Sequence, residues 1–173
     1  MIYFFLYIGL LWNFSLAISF NVTVNVDSPI GNVSDKFISF TLDAYQVGQK
    51  DWAGMNFTEL EPLAKALGPS YYRFGGTSAD LLTFVENGTT YREKLAYSLM
   101  NITISGAQFD QLYTFTKNVG WRLIFDFDLL RRNSDDKWDP TNAINLLNYT
   151  TSKGYEYDFE LGNVIISMAE LLE

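Results

Sequence analysis

The chain has 173 residues with no cysteine and no histidine, and 12 Lys plus Arg against 20 Asp plus Glu give a net charge of -8. Those absences exclude a Ser-His-Asp triad, a thiolate nucleophile and a zinc site with nitrogen or sulfur ligands, so any chemistry falls to carboxylates, Tyr or Lys. The acidic balance argues against nucleic acid as a partner, while 48% hydrophobic and 17% aromatic residues supply the material of a packed core.

Residues 2–12 form an apolar run of eleven, short of the about 20 residues that span a bilayer. Ala17 and Ser19 then stand at the spacing of a signal-peptidase site. Residues 1–19 are therefore expected to be a cleaved signal peptide, with no stable membrane span. Sequons at Asn21, Asn32, Asn56, Asn87, Asn101 and Asn148, with another at Asn13 inside the presumed signal, exceed the about two that chance supplies. This implies a glycoprotein of the secretory pathway, extracellular or lysosomal. Without Cys, its stability has to come from a buried core.

Alternating Val and polar residues over 20–26 predict a strand with one exposed face, and 36–43 a second, buried strand. Thr58 and Glu61 have the spacing of a capping box, Leu60, Leu63, Ala64 and Leu67 share one apolar face, and Gly68-Pro69 stops that helix. A strand over 71–75 runs into Gly75-Gly76-Thr77. The stretch 82–101, with weak periodicity and two sequons, reads as a surface loop. Next comes a helix over 105–119, with Phe109, Leu112, Thr116 and Val119 on one face and Gly120 as its stop. Residues 122–128 predict a strand, Asp139-Pro140 opens a helix that ends at Gly154, and 155–161 form the last strand.

Strand and helix thus alternate, which implies a parallel sheet covered by helices, either doubly wound or closed as a barrel. Both architectures put function at the carboxyl ends of the strands. Those ends carry Asp43, Gly75-Gly76-Thr77, Asp126 with Asp128, and Asn163. Asp43 can cap the segment that follows or meet a ligand. Gly75-Gly76 lacks the spacing of a phosphate loop and reads as a tight turn. Asp126 and Asp128 fall on one side of their strand, either as loop caps or as a carboxylate pair for a metal or acid/base work. Arg131-Arg132 are either solvated or answer those acids. Trp52, Trp121 and Trp138 read as core or loop anchors.

The segments Phe40-Thr41-Leu42-Asp43-Ala44, Pro69-Ser70-Tyr71-Tyr72-Arg73-Phe74-Gly75-Gly76-Thr77, Ser152-Lys153-Gly154-Tyr155 and Phe159-Glu160-Leu161-Gly162-Asn163 occur in that order. Together they resemble the heparanase-like members of glycoside hydrolase family 79, over about residues 33–163. Arg-Phe-Gly-Gly-Thr and Glu-Leu-Gly-Asn are the specific parts. The resemblance implies an α/β chain that is the N-terminal half of a TIM (β/α)8 barrel. Residues 20–32 would add a strand to an appended β-sandwich, 33–163 would supply the first four barrel strands, and 164–173 would be a tail foreign to the family.

It also implies a retaining endo-β-glucuronidase of heparan sulfate, an activity that needs two carboxylates about 5–5.5 Å apart and no cofactor or metal. Asp43, Thr77 and Asn163 match substrate-contacting positions. The acid/base Glu of the family directly follows the Asn, and here Val164 stands in its place. The nucleophile belongs to a later strand, so this chain is expected to be inactive. Tyr45 replaces a smaller polar contact residue, the insertion after Leu82 is shorter than the excised linker of the family, and the segment 100–110, basic in relatives, has no Lys or Arg. Tight heparin binding and cleavage into two subunits are therefore not expected. A glycan-binding relative without turnover, a β-glucuronidase of less sulfated glucuronides, and self-association through exposed half-barrel edges stand as alternatives.

Overall fold

The computed structural model describes residues 19–28, 30–88, 92–94 and 100–163. The chain divides into two units, Met1–Asn32 and Val33–Glu173. In the first, the described residues form no helix or strand, and Phe20, Val22, Val24 and Val26 are exposed. The strand expected over 20–26 thus has no ladder partner among the described residues. Most of the presumed signal, the Asn13 sequon and the tail from Val164 lie outside the described residues.

The second unit is built on a four-stranded parallel sheet: β1 (Phe40–Asp43), β2 (Tyr71–Gly75), β6 (Arg122–Phe127) and β7 (Asp158–Leu161), adjacent in that order. Three helices connect them: α1 (Phe57–Ala66), α2 (Gly106–Val119) and α3 (Thr141–Ser152). Leu42, Tyr72, Phe74, Leu123 and Phe125 alternate along the strands and bury against Phe57, Ala64, Phe109, Leu112, Phe115 and Val119 of the helices. The opposite face of the strands carries Asp43, Arg73, Asp126 and Glu160. A strand sends successive side chains to opposite sides, so one face feeds the core and the other is left for polar groups.

Local chemistry sets the helix ends. Ser105 caps α2 in a complete capping box with Gln108, and Gly120 ends the helix in the left-handed region at φ 73°. Asp139 accepts the Thr141 N–H at 3.0 Å at the start of α3. The start of α1 differs from the sequence expectation: Asn56, not Thr58, is the cap, taking the N–H groups of Thr58 and Glu59 on its Oδ1. The buried face differs too. Phe57 and Ala64 face the core, whereas Leu60, Leu63 and Leu67 are exposed.

The stretch after Leu82 is a small sheet rather than a loop. Strand β3 (Leu82–Val85) pairs in parallel with β5 (Met100–Ser105), and β4 (Arg92–Lys94) runs antiparallel to β5. Leu82, Phe84, Ile102 and Ile104 are buried, which gives this sheet a core face. Asn142 on α3 acts as a further strand partner: its Oδ1 accepts the Phe84 N–H at 2.7 Å and its Nδ2 donates to the Phe84 carbonyl at 2.9 Å. The outer strands of the main sheet are shorter than expected, because only 40–43 and 158–161 make ladder bonds. Asp51, Trp52 and Ala53 all have positive φ, and with Gly54 they form a left-handed turn pinned by the Trp52 Nε1–H bond to Gln111 at 2.6 Å. Among the described residues no helix is long and apolar enough to cross a membrane.

Candidate functional site

The parallel register places Asp43, Gly75, Asp126 and Glu160 in one layer across the carboxyl ends of β1, β2, β6 and β7. One layer below, Arg73 reaches up into it. The Arg73 Nε donates to Glu160, and its Nη2 donates to Asp126 Oδ2 at 3.3 Å and to Asn163 Oδ1 at 3.0 Å. One guanidinium therefore ties three strands together. The rigid fork of Arg suits this task, since it presents several donors in fixed directions.

Asp126 has no exposed surface, and its Oδ1 has no hydrogen-bond partner among the described residues. Burial, with the Glu160 charge adding to it, pushes its carboxyl up to about 7, against the opposing pull of Arg73. Asp80 is also buried and accepts the Asn163 N–H on Oδ1 at 3.0 Å; burial raises its pKa as well. Asp128 lies with a different partner. Its carboxylate takes the Arg131 backbone N–H and the Arg131 Nε–H, both at 2.8 Å. Arg131 also donates to Thr83 of β3.

The two glycines of the turn are required by this crowding. A Cβ on Gly75 would stand 2.8 Å from Arg73 Cζ and 2.9 Å from Asp126 Oδ2. Gly76 has φ 100°, and a Cβ there would meet Asp43 Oδ2 at 2.7 Å. The tight-turn reading of this pair holds, and the turn leads into the 3-10 turn Thr77–Leu81 with Thr77 half-buried. Gly162, at φ 76°, lies against Leu129 and orients the chain just before Asn163.

Asp43 is exposed at the rim and caps the 3-10 turn Ala44–Gly48 by accepting the Tyr45 N–H at 2.8 Å. Asn163 is half-buried and engaged by Arg73. Asp126 and Asp128, taken as a same-side pair, have separate partners, and no group of three acidic side chains able to hold a metal occurs among the described residues. Arg131 answers Asp128, as one reading allowed; Arg132 is exposed. Trp52 is buried, Trp121 stacks on Phe40 at 4.8 Å, and Trp138 donates to the Asp128 carbonyl at 2.8 Å, all as core or loop anchors.

Sequence reasoning assigned no role to Arg73, Asp80 or Glu160. A signal was present for one of them: Arg73 is the single charged position of the strand Tyr71–Gly75. The sequons at Asn21, Asn32, Asn56, Asn87 and Asn148 are exposed, and Asn101 is half-buried in β5.

These features define an α/β protein whose parallel sheet presents a charged, hydrogen-bonded rim at its carboxyl edge. A family model described as "Glycosyl hydrolase family 79, N-terminal domain" matches residues 19–170, and the chain belongs to that family. The matched span is wider at both ends than the 33–163 read from motifs. The chain is 31% identical over 176 residues to heparanase of Gallus gallus, covering 78% of this chain and 34% of that protein. It is 24% identical over 197 residues to inactive heparanase-2 of Homo sapiens, covering 81% and 33%. It is 29% identical over 170 residues to hyaluronoglucuronidase of Hirudo nipponia, covering 82% and 35%. The chain therefore spans about a third of the length of the curated relatives it matches.

Proposed function

We propose that this chain forms the first half of a (β/α)8 barrel and carries one side of a glucuronide-binding site, with Asp43, Thr77 and Asn163 as the saccharide contacts. The observation that carries this reading is the delivery of Asn163 to the rim, tied by side chain to Arg73 and by main chain to Asp80. The sequential order β1, β2, β6, β7 in an all-parallel sheet supports it, being the order of the first four strands of such a barrel.

In this reading the complete family site is that of a retaining endo-β-glucuronidase, in which one carboxyl group protonates the glycosidic oxygen and another attacks the anomeric carbon. Val164 occupies the position of the proton donor and has no proton to give, so this chain binds saccharide without cleaving it. Residues 1–19 act as a secretory signal, 20–32 join an appended β-sandwich, and the chain departs from the family motif at Val164, although the matched family span runs on to residue 170. Glycosylation at the six sequons and an extracellular or lysosomal location follow from the same reading. The edges of β1 and β7, each with one ladder partner among the described residues, favour self-association.

A second reading concerns the saccharide. The segment 100–110 has no Lys or Arg, and a leech relative is named a hyaluronoglucuronidase, which together favour a weakly sulfated or unsulfated glucuronide over heparan sulfate. Calorimetry of the purified chain with hyaluronan and heparan sulfate oligosaccharides tests both readings. Binding of either supports the site, stronger binding of hyaluronan supports the second reading, and no binding of either refutes the assignment.

A further inference from the structure

The side-chain amide of Asn163 can face its neighbours with either oxygen or nitrogen, and that choice decides what the residue offers to a ligand. Its neighbour leaves only one answer. Arg73 is donor-only, and its Nη2 lies 3.0 Å from Oδ1 of Asn163. A flipped amide would set its NH2 against the guanidinium, with two donors facing each other and no acceptor.

We propose that Arg73 is a positioning residue that fixes the Asn163 amide with Nδ2 outward, so that the site offers a pair of N–H donors to a saccharide hydroxyl or carboxylate oxygen. The saccharide in this statement rests on the functional reading above; the orientation of the amide does not.

Arg73 is itself held. Its Nε binds Glu160 of β7 and its Nη2 binds Asp126 of β6 at 3.3 Å, so the guanidinium cannot swing away without leaving a buried carboxylate unpaired. The main chain of Asn163 is fixed independently. Asp80 Oδ1 accepts its N–H at 3.0 Å, and the preceding Gly162 donates to the Phe127 carbonyl at 3.0 Å while packed against Leu129. Asn163 is thus tethered from β2, from the 3-10 turn Thr77–Leu81 and from β6. A lysine at 73 would keep the charge, but a single ammonium cannot reproduce the fork.

Charge on Asp126 tunes this hold. The charged groups facing Asp126 are Arg73 from β2, Glu160 from β7 and Asp80 from the turn, and its own carboxyl is pushed up to about 7. As Asp126 loses its proton it draws Arg73 toward β6, and the environment of the Asn163 amide changes over the same pH range.

The test is 15N NMR of the side-chain amides in the whole chain, with the Asn163 pair assigned by its disappearance in Asn163→Ala. The wild type is expected to show a dispersed pair for Asn163 that titrates with a midpoint near 7. Arg73→Lys should collapse that pair toward free-amide positions while the backbone signals of Phe109 and Leu112 stay put. Asp80→Asn, which keeps an acceptor for the Asn163 N–H, should leave the amide pair dispersed. Calorimetry with an unsulfated glucuronide tetrasaccharide should show the same loss for Arg73→Lys as for Asn163→Ala, about five- to tenfold, with no further loss in the double variant.

An Asn163 amide unmoved by Arg73→Lys overturns the inference, and so does a double variant whose losses add. If the wild type binds no glucuronide yet Arg73→Lys collapses the amide pair, the positioning inference stands and the functional reading falls. If the amide does not move while the saccharide still binds, the reverse holds.

Discussion

At the scale of single residues, the rim is organised by a conflict around Asp126. A carboxyl group with no exposed surface and an orphan oxygen is costly to charge, and Glu160 beside it adds repulsion. The native state therefore holds the Asp126 proton to higher pH than the unfolded chain does. Between about pH 4, where an unfolded Asp loses its proton, and pH 7 the folded state binds more protons, so this residue makes stability fall as pH rises and contributes no further change above 7. Asp126→Asn keeps the shape and an acceptor for Arg73 but cannot ionise. Thermal unfolding across pH 4–8 should show the variant gaining on the wild type up to about pH 7 and holding that gain beyond it; a pH-independent difference would refute this account.

A second residue-scale prediction concerns Ala53, exposed and held at φ 60° in the left-handed turn. The left-handed conformation costs an L-residue roughly 1–2 kcal/mol and glycine almost nothing, against a glycine entropy cost of about 0.5–1 kcal/mol. Ala53→Gly should therefore stabilise the chain by about 0.5–1 kcal/mol in urea unfolding.

At the scale of elements, the turn after β2 and the cap of α2 are the sensitive joints. Gly75→Ala would drive a methyl group into Arg73 and Asp126, and should cost about 1–3 kcal/mol in denaturant unfolding. Ser105→Ala should cost about 1 kcal/mol in the same measurement, since it removes one half of a complete capping box.

The elements also show what a single sequence can convey. The β-α order was legible because it is written locally, in Gly120, in Asp139-Pro140 and in the apolar face of α2, whose Phe109, Leu112, Thr116 and Val119 are all buried. Alternation along β6 placed Asp126 on the polar face, but Asp128, expected on the same side, has its own partner in Arg131. The role of Arg73 was not legible, because its partners lie 87, 53 and 90 positions away along the chain. Strand β3 was missed for a similar reason, since four residues become a strand only by pairing with β5 and borrowing Asn142. Of the apolar face expected on α1, only Ala64 is buried, while Leu60, Leu63 and Leu67 are exposed. Glu61 receives the Asn118 side chain of α2 at 2.8 Å, and steps of about 100° per residue then put Leu60, Leu63 and Leu67 on the flank away from α2. Period alone cannot say which flank a neighbour covers.

At the scale of the whole molecule, β1 pairs only with β2 and β7 only with β6 among the described residues, and several large apolar side chains are exposed. Leu60, Leu63 and Leu67 occupy the flank of α1 away from α2, while Phe159 and Leu161 are exposed on β7. Parallel sheets are normally covered on both faces, and open edges invite pairing with another chain. The chain expressed alone should therefore associate as its concentration rises, and Leu63→Lys should lower that tendency in sedimentation velocity.

On the proposed reading this chain offers a glucuronide site without the proton donor that cleavage needs. The most direct measurement is the release of new reducing ends when the purified chain is incubated with heparan sulfate and with hyaluronan, alongside calorimetry of the same oligosaccharides. The expected result is saccharide binding that weakens in Asn163→Ala, with no reducing ends above the protein-free control. Reducing ends released by the wild-type chain, and lost in Asn163→Ala, would contradict it.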